Sequence, residues 1–154
     1  MHTLPAELAL RTERSFEQIP STTFYRIAQL RQVVFAVEQN CPYLDLDGRD
    51  LEPATVQLWV EGPDGTVAAG LRILSEDHQE PGLRSIGRVV TAPNWRGKGI
   101  AAALLTAAIA ECEGSPIVIH AQSYLTTWYE RFGFTASGPE FLDDDIPHTP
   151  MRIG

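Results

Sequence analysis

The chain has 154 residues, 44% hydrophobic and 21% charged, a size and balance that fit one globular domain over residues 1–154 and exclude a disordered chain. Twelve basic residues against twenty acidic ones leave a net charge of −8, so neither nucleic acid nor an anionic membrane is an expected partner, because phosphate contacts need clustered cations. No apolar run approaches the roughly 18 residues that span a bilayer, no basic-then-apolar leader opens the chain, and Cys41 and Cys112 are too few for a disulfide framework; a cytoplasmic protein with reduced thiols is the expectation.

Residues 8–14 read as a first strand. Ser21, Thr22 and Thr23 offer N-cap hydroxyls, and Phe24, Ile27, Leu30, Val34 and Val37 recur at helical spacing, which predicts an amphipathic helix over 23–38. Cys41-Pro42 stops it, and an acidic loop with Asp45, Asp47, Asp50 and Glu52 follows. Residues 55–61 and 66–74 flank the turn Gly62-Pro63-Asp64-Gly65 and form a hairpin. A strand at 85–91, an Ala/Leu-rich helix at 99–113 and an apolar strand at 116–121 make a strand–helix–strand unit whose strands should pair in parallel. A short helix at 123–131 ends at Gly133. The fold class is therefore α/β, in the α+β sense, with a mixed sheet and flanking helices.

The chemistry concentrates in Arg96-Gly97-Lys98-Gly99-Ile100-Ala101, directly between a strand and a helix. Glycines let backbone amides approach an anion, the first amides of a helix lack intrahelical partners, the helix dipole adds positive character, and Arg96 and Lys98, the chain's one lysine, add full charges. Two readings stand on these residues alone: an anion cradle, or a tight turn with two solvated cations. The loop lacks both the GxxxxGK[ST] pattern of a P-loop and the GxGxxG pattern of a dinucleotide fold. The Asp45–Asp50 run lacks the third ligand and the glycine of a calcium loop, so no metal is expected.

This segment resembles the Q/R-x-x-G-x-G/A signature of the GNAT acetyltransferases, with Arg96, Gly99 and Ala101 on the defining positions. Flanking pieces resemble the ElaA-like branch of that family: Leu30–Phe35 running into Val37–Tyr43, Ile86–Val90, His120-Ala121-Gln122, Tyr129–Phe134 and Ile146–Met151. The resemblance implies a mostly antiparallel sheet splayed open between the strands at 86–91 and 116–121, with acetyl-CoA in the gap. It implies that pantetheine pairs with Val89, Val90 and Thr91, that the diphosphate sits on residues 96–101 (Arg96, Gly97, Lys98, Gly99, Ile100 and Ala101), and that Gln122 stands against pantetheine. The co-substrates would be acetyl-CoA and an amine acceptor; a homodimer is left open.

Acetyl transfer needs a neutral amine, a donor for the developing oxyanion and a proton for the leaving thiolate. The resemblance assigns that proton to Tyr129; from periodicity alone Tyr129 reads rather as a core aromatic beside Trp128, Phe132 and Phe134. The strand before the loop carries no carboxylate, so the base is sought in Glu38, which reads otherwise as a solvated helix-end carboxylate, and in His120, which reads otherwise as a structural histidine. Asp45, Asp47 and Asp50 read as solvated charge or, with Asp143, Asp144 and Asp145, as an acidic rim for a cationic amine. Arg88 reads as a salt-bridge partner and Cys41 as a remote candidate nucleophile. The leading function is an acetyl-CoA-dependent N-acetyltransferase that transfers directly in a ternary complex; the missing strand carboxylate motivates the alternative of a non-catalytic acyl-CoA sensor.

Overall fold

A computed structural model describes residues 3–154. Eight strands form one sheet, β1 (Ala9–Glu13), β2 (Val56–Glu61), β3 (Val67–Ser75), β4 (Arg84–Thr91), β5 (Ile117–Gln122), β6 (Thr135–Ala136), β7 (Phe141–Asp143) and β8 (Ile146–Ile153), in the order β1-β2-β3-β4-β5-β8-β6, with β7 also on β8. Only β4 and β5 pair in parallel; the other pairings are antiparallel. The helix α2 (Ile100–Glu111) crosses between β4 and β5, as the strand–helix–strand pattern predicts.

Side-chain alternation gives the sheet two apolar faces. On one, Val56, Leu58, Val60, Leu71, Ile73, Ile117 and Ile119 pack under Ile100, Leu104, Leu105 and Ala108 of α2. Leu104 and Leu105 are fully enclosed, each contributing about 1.5–3 kcal/mol by burial. On the other, Trp59, Val67 and Val90 receive Ile27 and Leu30 of α1 (Ser21–Arg31) and Val34 beyond it.

Three expectations change. The N-cap of α1 is Pro20, with no side-chain cap, so Ser21 is already helical. The periodicity that predicts one α-helix to residue 38 hides a change of pitch: Gln32–Glu38 is π-helical. The β-branched Val33, Val34 and Val37 fit poorly into an α turn, and the wider turn lets Val34 face the sheet while Phe35 faces the cleft described below. Finally, β6, β7 and β8 have no counterpart in the sequence reading. β8 contains Pro147 and Pro150, which argue against a central strand. It tolerates them because β7 pairs with residues 146–148 and β6 with 151–152, leaving Pro150 between the two short partners.

β4 and β5 meet only at Arg84/Ile117 and Ser85/Val118 and then separate. Where they part, β4 carries a bulge: Gly70 faces Val90 and Arg72 faces Gly87, so Leu71 is opposed by both Arg88 and Val89. Arg88 takes a left-handed φ of 53°. The extra residue bends and twists β4 away from β5.

Candidate active site

The diverging strands open a cleft of about 1220 Å³. One arm presents Ser85–Val89 of β4, the other Val118, Ile119, His120 and Gln122 of β5. Phe35, Gln39, Cys41 and Tyr43 come from the π-helical turn and the loop after it; Tyr124 and Tyr129 come from the turn after β5 and from α3 (Thr126–Glu130); Asp143, Asp144 and His148 come from the β7–β8 hairpin.

The glycine loop lies past the end of β4. Gly97 and Gly99 have φ of 76° and 75°, values that favour glycine. A Cβ at either would meet nothing within 4 Å, so backbone conformation, not space, selects glycine there. Gly99 is the N-cap of α2 and no side chain caps the helix. The first intrahelical bond runs from the Ala103 amide to the Gly99 carbonyl, which leaves the amides of residues 100–102 without intrahelical acceptors. Ile100 itself anchors the loop in the core, while residues 96–99 are exposed.

Arg96 is already engaged. Its Nη2 and Nη1 donate to Glu38 Oε1 and Oε2 at 2.6 and 3.0 Å, and its Nε donates to the Thr91 carbonyl at 3.3 Å. The Arg96 hydrogen bonds hold the Glu38 carboxyl below its ordinary range, which weakens it as a proton acceptor; Glu38 is an exposed carboxylate at the end of the π-helical turn, paired with Arg96. The adjacent Gln39 accepts a long hydrogen bond, 3.5 Å, from Gln122 Nε2 on β5. Val90 and Thr91 are paired with Gly70 and Ala69 of β3 on one edge; on the other edge of β4 no strand follows β5 beyond Ser85.

Tyr129 lies at the base of the cleft, 8% exposed, with Trp128 and Phe134 edge-on to its ring. It packs in the core, as its periodicity suggests, and it also lines the cleft. Burial pushes its phenol up to about 12, so it carries its proton at neutral pH. His120 is exposed at the lip, edge-on to Phe141 at 5.2 Å. Cys41 is buried, and burial, with Asp144 and Asp143 adding to it, raises its thiol, which disfavours a nucleophilic thiolate.

The acidic loop differs most from expectation. Asp45, Asp47 and Asp50 are neither solvated nor a rim; they meet Arg31, Arg72 and Arg88 beneath the cleft. Arg31, 1% exposed, donates to Asp45 Oδ2 and Asp50 Oδ1 at 2.9 Å each. Arg72 reaches both oxygens of Asp47 at 2.9 and 2.8 Å and Asp50 at 3.2 Å. Arg88, the bulge residue, meets Asp45 Oδ1 at 2.8 Å and Asp47 at 3.4 Å, and stacks over Tyr43. Gln57, opposite Arg72 in the ladder, donates to Asp50 at 2.7 Å. Three cations balance three anions, and this lattice pins the loop onto β2, β3 and β4. Asp143 and Asp144 stay outside it, with no cationic partner among the described residues.

Comparison with known proteins agrees with this geometry. Residues 52–154 match the family model described as "Acetyltransferase (GNAT) domain". The chain belongs to the GNAT acetyltransferase family. It is similar to a UPF0039 protein of Mycobacterium bovis (45% identity over 88% of this chain and 86% of that one) and to Protein ElaA of Escherichia coli K12 (33% over 87% and 89%). Among solved structures it is similar to an acyl-CoA N-acyltransferase from Pseudomonas aeruginosa (TM-score 0.88, 36% identity, 96% and 99% covered) and to Escherichia coli ElaA (TM-score 0.86, 30% identity, 94% and 98% covered).

As an ElaA-like GNAT enzyme, the chain has an acyl-transfer role. No helix among the described residues is long and apolar enough to cross a membrane, and no metal-binding cluster occurs among them. Two cleft residues escaped the sequence reading. Tyr124 falls within the short helix predicted over 123–131 and carries no assigned role there. His148 was noticed only as part of the matching tail, and its place opposite Gln122 emerges from the β5–β8 register.

Proposed function

We propose that this enzyme transfers an acetyl group from acetyl-CoA to a primary amine of a small molecule or peptide, by direct attack in a ternary complex. The observation that carries the reading is the short β4–β5 contact followed by a cleft with a protonated, buried phenol at its base and an uncapped glycine loop at its open end. In this reading pantetheine runs along the free edge of Val89, Val90 and Thr91. The diphosphate takes the amides of residues 97–101 and the charge of Lys98, and Arg96 joins it only by leaving Glu38. Gln122 faces pantetheine, and Tyr129 protonates the leaving sulfur. Asp143 and Asp144 favour a cationic acceptor at the cleft. The acceptor proton goes to one of the cleft's imidazoles, of which His120 is one, in preference to Glu38.

Titration calorimetry with acetyl-CoA, followed by thiol release over a panel of amines, tests the reading; absence of acetyl-CoA binding ends it. The engaged state of Glu38 and the lack of a carboxylate on β4 favour a second reading, an acyl-CoA sensor without turnover. Acetyl-CoA binding with no thiol release from any amine would favour it.

A further inference from the structure

Resting on the acetyl-transfer reading, the geometry points to His148 as the general base that takes the acceptor's proton. His148 lines the cleft with Tyr129. It lies directly opposite Gln122 in the β5–β8 ladder, and directly opposed residues project from the same face of a sheet, so the two flank the cleft together. Its Nδ1 is 2.8 Å from the Ile146 carbonyl of its own strand. A carbonyl oxygen only accepts, so Nδ1 carries the hydrogen, and in the neutral ring the lone pair belongs to Nε2. Nε2 has no protein partner among the described residues. Phe141 stacks on the ring at 5.8 Å and 25°, fixing its plane. The imidazole is thus half-buried, held in one tautomer, and presents its basic nitrogen without a protein partner.

His120 contrasts with it. Its ring touches the same Phe141, edge-on, but neither nitrogen has a protein partner among the described residues, and the residue is exposed. No hydrogen bond selects its tautomer. The groups around His148 are Gln122 and His120 on β5, Phe141 and Asp143 on β7, Asp144 in the following turn, and Tyr124 and Tyr129 across the cleft.

The step balances. Nε2 of His148 takes one proton from the acceptor's ammonium, and the freed lone pair forms the bond to the acetyl carbonyl carbon. The carbon–sulfur bond breaks with its electron pair on sulfur, which receives the Tyr129 phenolic proton. The nitrogen's second proton returns through solvent to the phenolate, the imidazolium releases its proton to solvent, and amide and free thiol leave.

The test uses the full chain, acetyl-CoA, and two small amines: butylamine, cationic at neutral pH, and hydroxylamine, already neutral there. In His148→Gln, thiol release with butylamine should fall about 10²–10⁴-fold, the range for a lost general base, while calorimetric acetyl-CoA affinity is kept. With hydroxylamine the deficit should largely close, which a merely structural role would not produce. His120→Gln should cost less than His148→Gln. The assignment is overturned if His148→Gln keeps its rate, if both amines lose equally, if His120→Gln is the more damaging change, or if wild-type protein binds acetyl-CoA yet releases no thiol with either amine. If wild-type protein does not bind acetyl-CoA, the acetyl-transfer reading falls first. Should His148→Gln itself lose acetyl-CoA binding, His148→Asn is judged by the same pair of amines.

Discussion

Arg96 and Glu38, 58 positions apart in the chain, form a two-pronged ion pair across the open end of the cleft. The arginine is the first residue of the family's signature loop, and the carboxylate ends the π-helical turn. In the acetyl-transfer reading, an incoming diphosphate and the Glu38 carboxylate compete for the same donors.

Replacing Glu38 with Gln should make acetyl-CoA bind several-fold more tightly at low salt, because a competing anion disappears from beside the diphosphate site. Calorimetry on both proteins over a salt series checks this. Equal or weaker binding by the variant would show that the pair does not oppose the donor.

Tyr129→Phe should keep acetyl-CoA affinity and lose about 10²-fold or more in turnover, as expected when a proton donor is removed. The pH dependence follows from the raised phenol. An acid works while protonated, so its contribution is present at neutral pH and lost only as pH climbs through the folded value of about 12. The alkaline limb of kcat should therefore lie well above the pH of about 10 where a free phenol titrates. A Tyr129-dependent limb near that free value would place the side chain in water.

Arg31 and Asp50 form a pair within the ion lattice in which both partners are buried. Removing one partner of a buried pair strands the other, at a cost of about 3–5 kcal/mol. Asp50→Ala should lower the urea midpoint accordingly, whereas an Arg31→Met/Asp50→Leu double replacement should recover much of the loss. Urea unfolding of the three proteins decides the point; a double replacement no more stable than Asp50→Ala would mean the two do not act as a pair.

Acid should loosen the same loop. Hydrogen bonds from Arg72 hold Asp47 well below the usual carboxylate range, against the opposing effect of burial. A carboxylate depressed on folding contributes stability that is complete above its unfolded value, near 4, and declines as pH falls below it. Stability should fall steadily between about pH 5 and pH 2, with a shallower slope in Asp47→Asn. An identical slope in the variant would move the acid sensitivity elsewhere.

The features legible in the sequence are local ones. The glycine loop announces itself within six residues, and the β4–α2–β5 unit follows from a strand, a helix and a strand in succession. Asp45, Asp47 and Asp50 look hydrophilic in sequence because their partners, Arg31, Arg72 and Arg88, lie up to 43 positions away. The π-helical turn is invisible to a helical period, since Val34 and Val37 satisfy the α spacing that the backbone does not keep. β8 is masked by its prolines, and with it the position of His148, which only strand register brings to the cleft. Tyr129 was readable as a site residue through family likeness alone, because its packing and its exposure to the cleft leave the same pattern.

Glu38 and Gln39 are consecutive, yet one fastens to the β4 side of the opening and the other to the β5 side. If a long cofactor threads between the arms as proposed, it unhooks the same short stretch of backbone that shapes the far wall. Arrival of the donor and remodelling of the acceptor's berth would then be a single mechanical event, with a salt-sensitive fastening on one bank and a neutral one on the other.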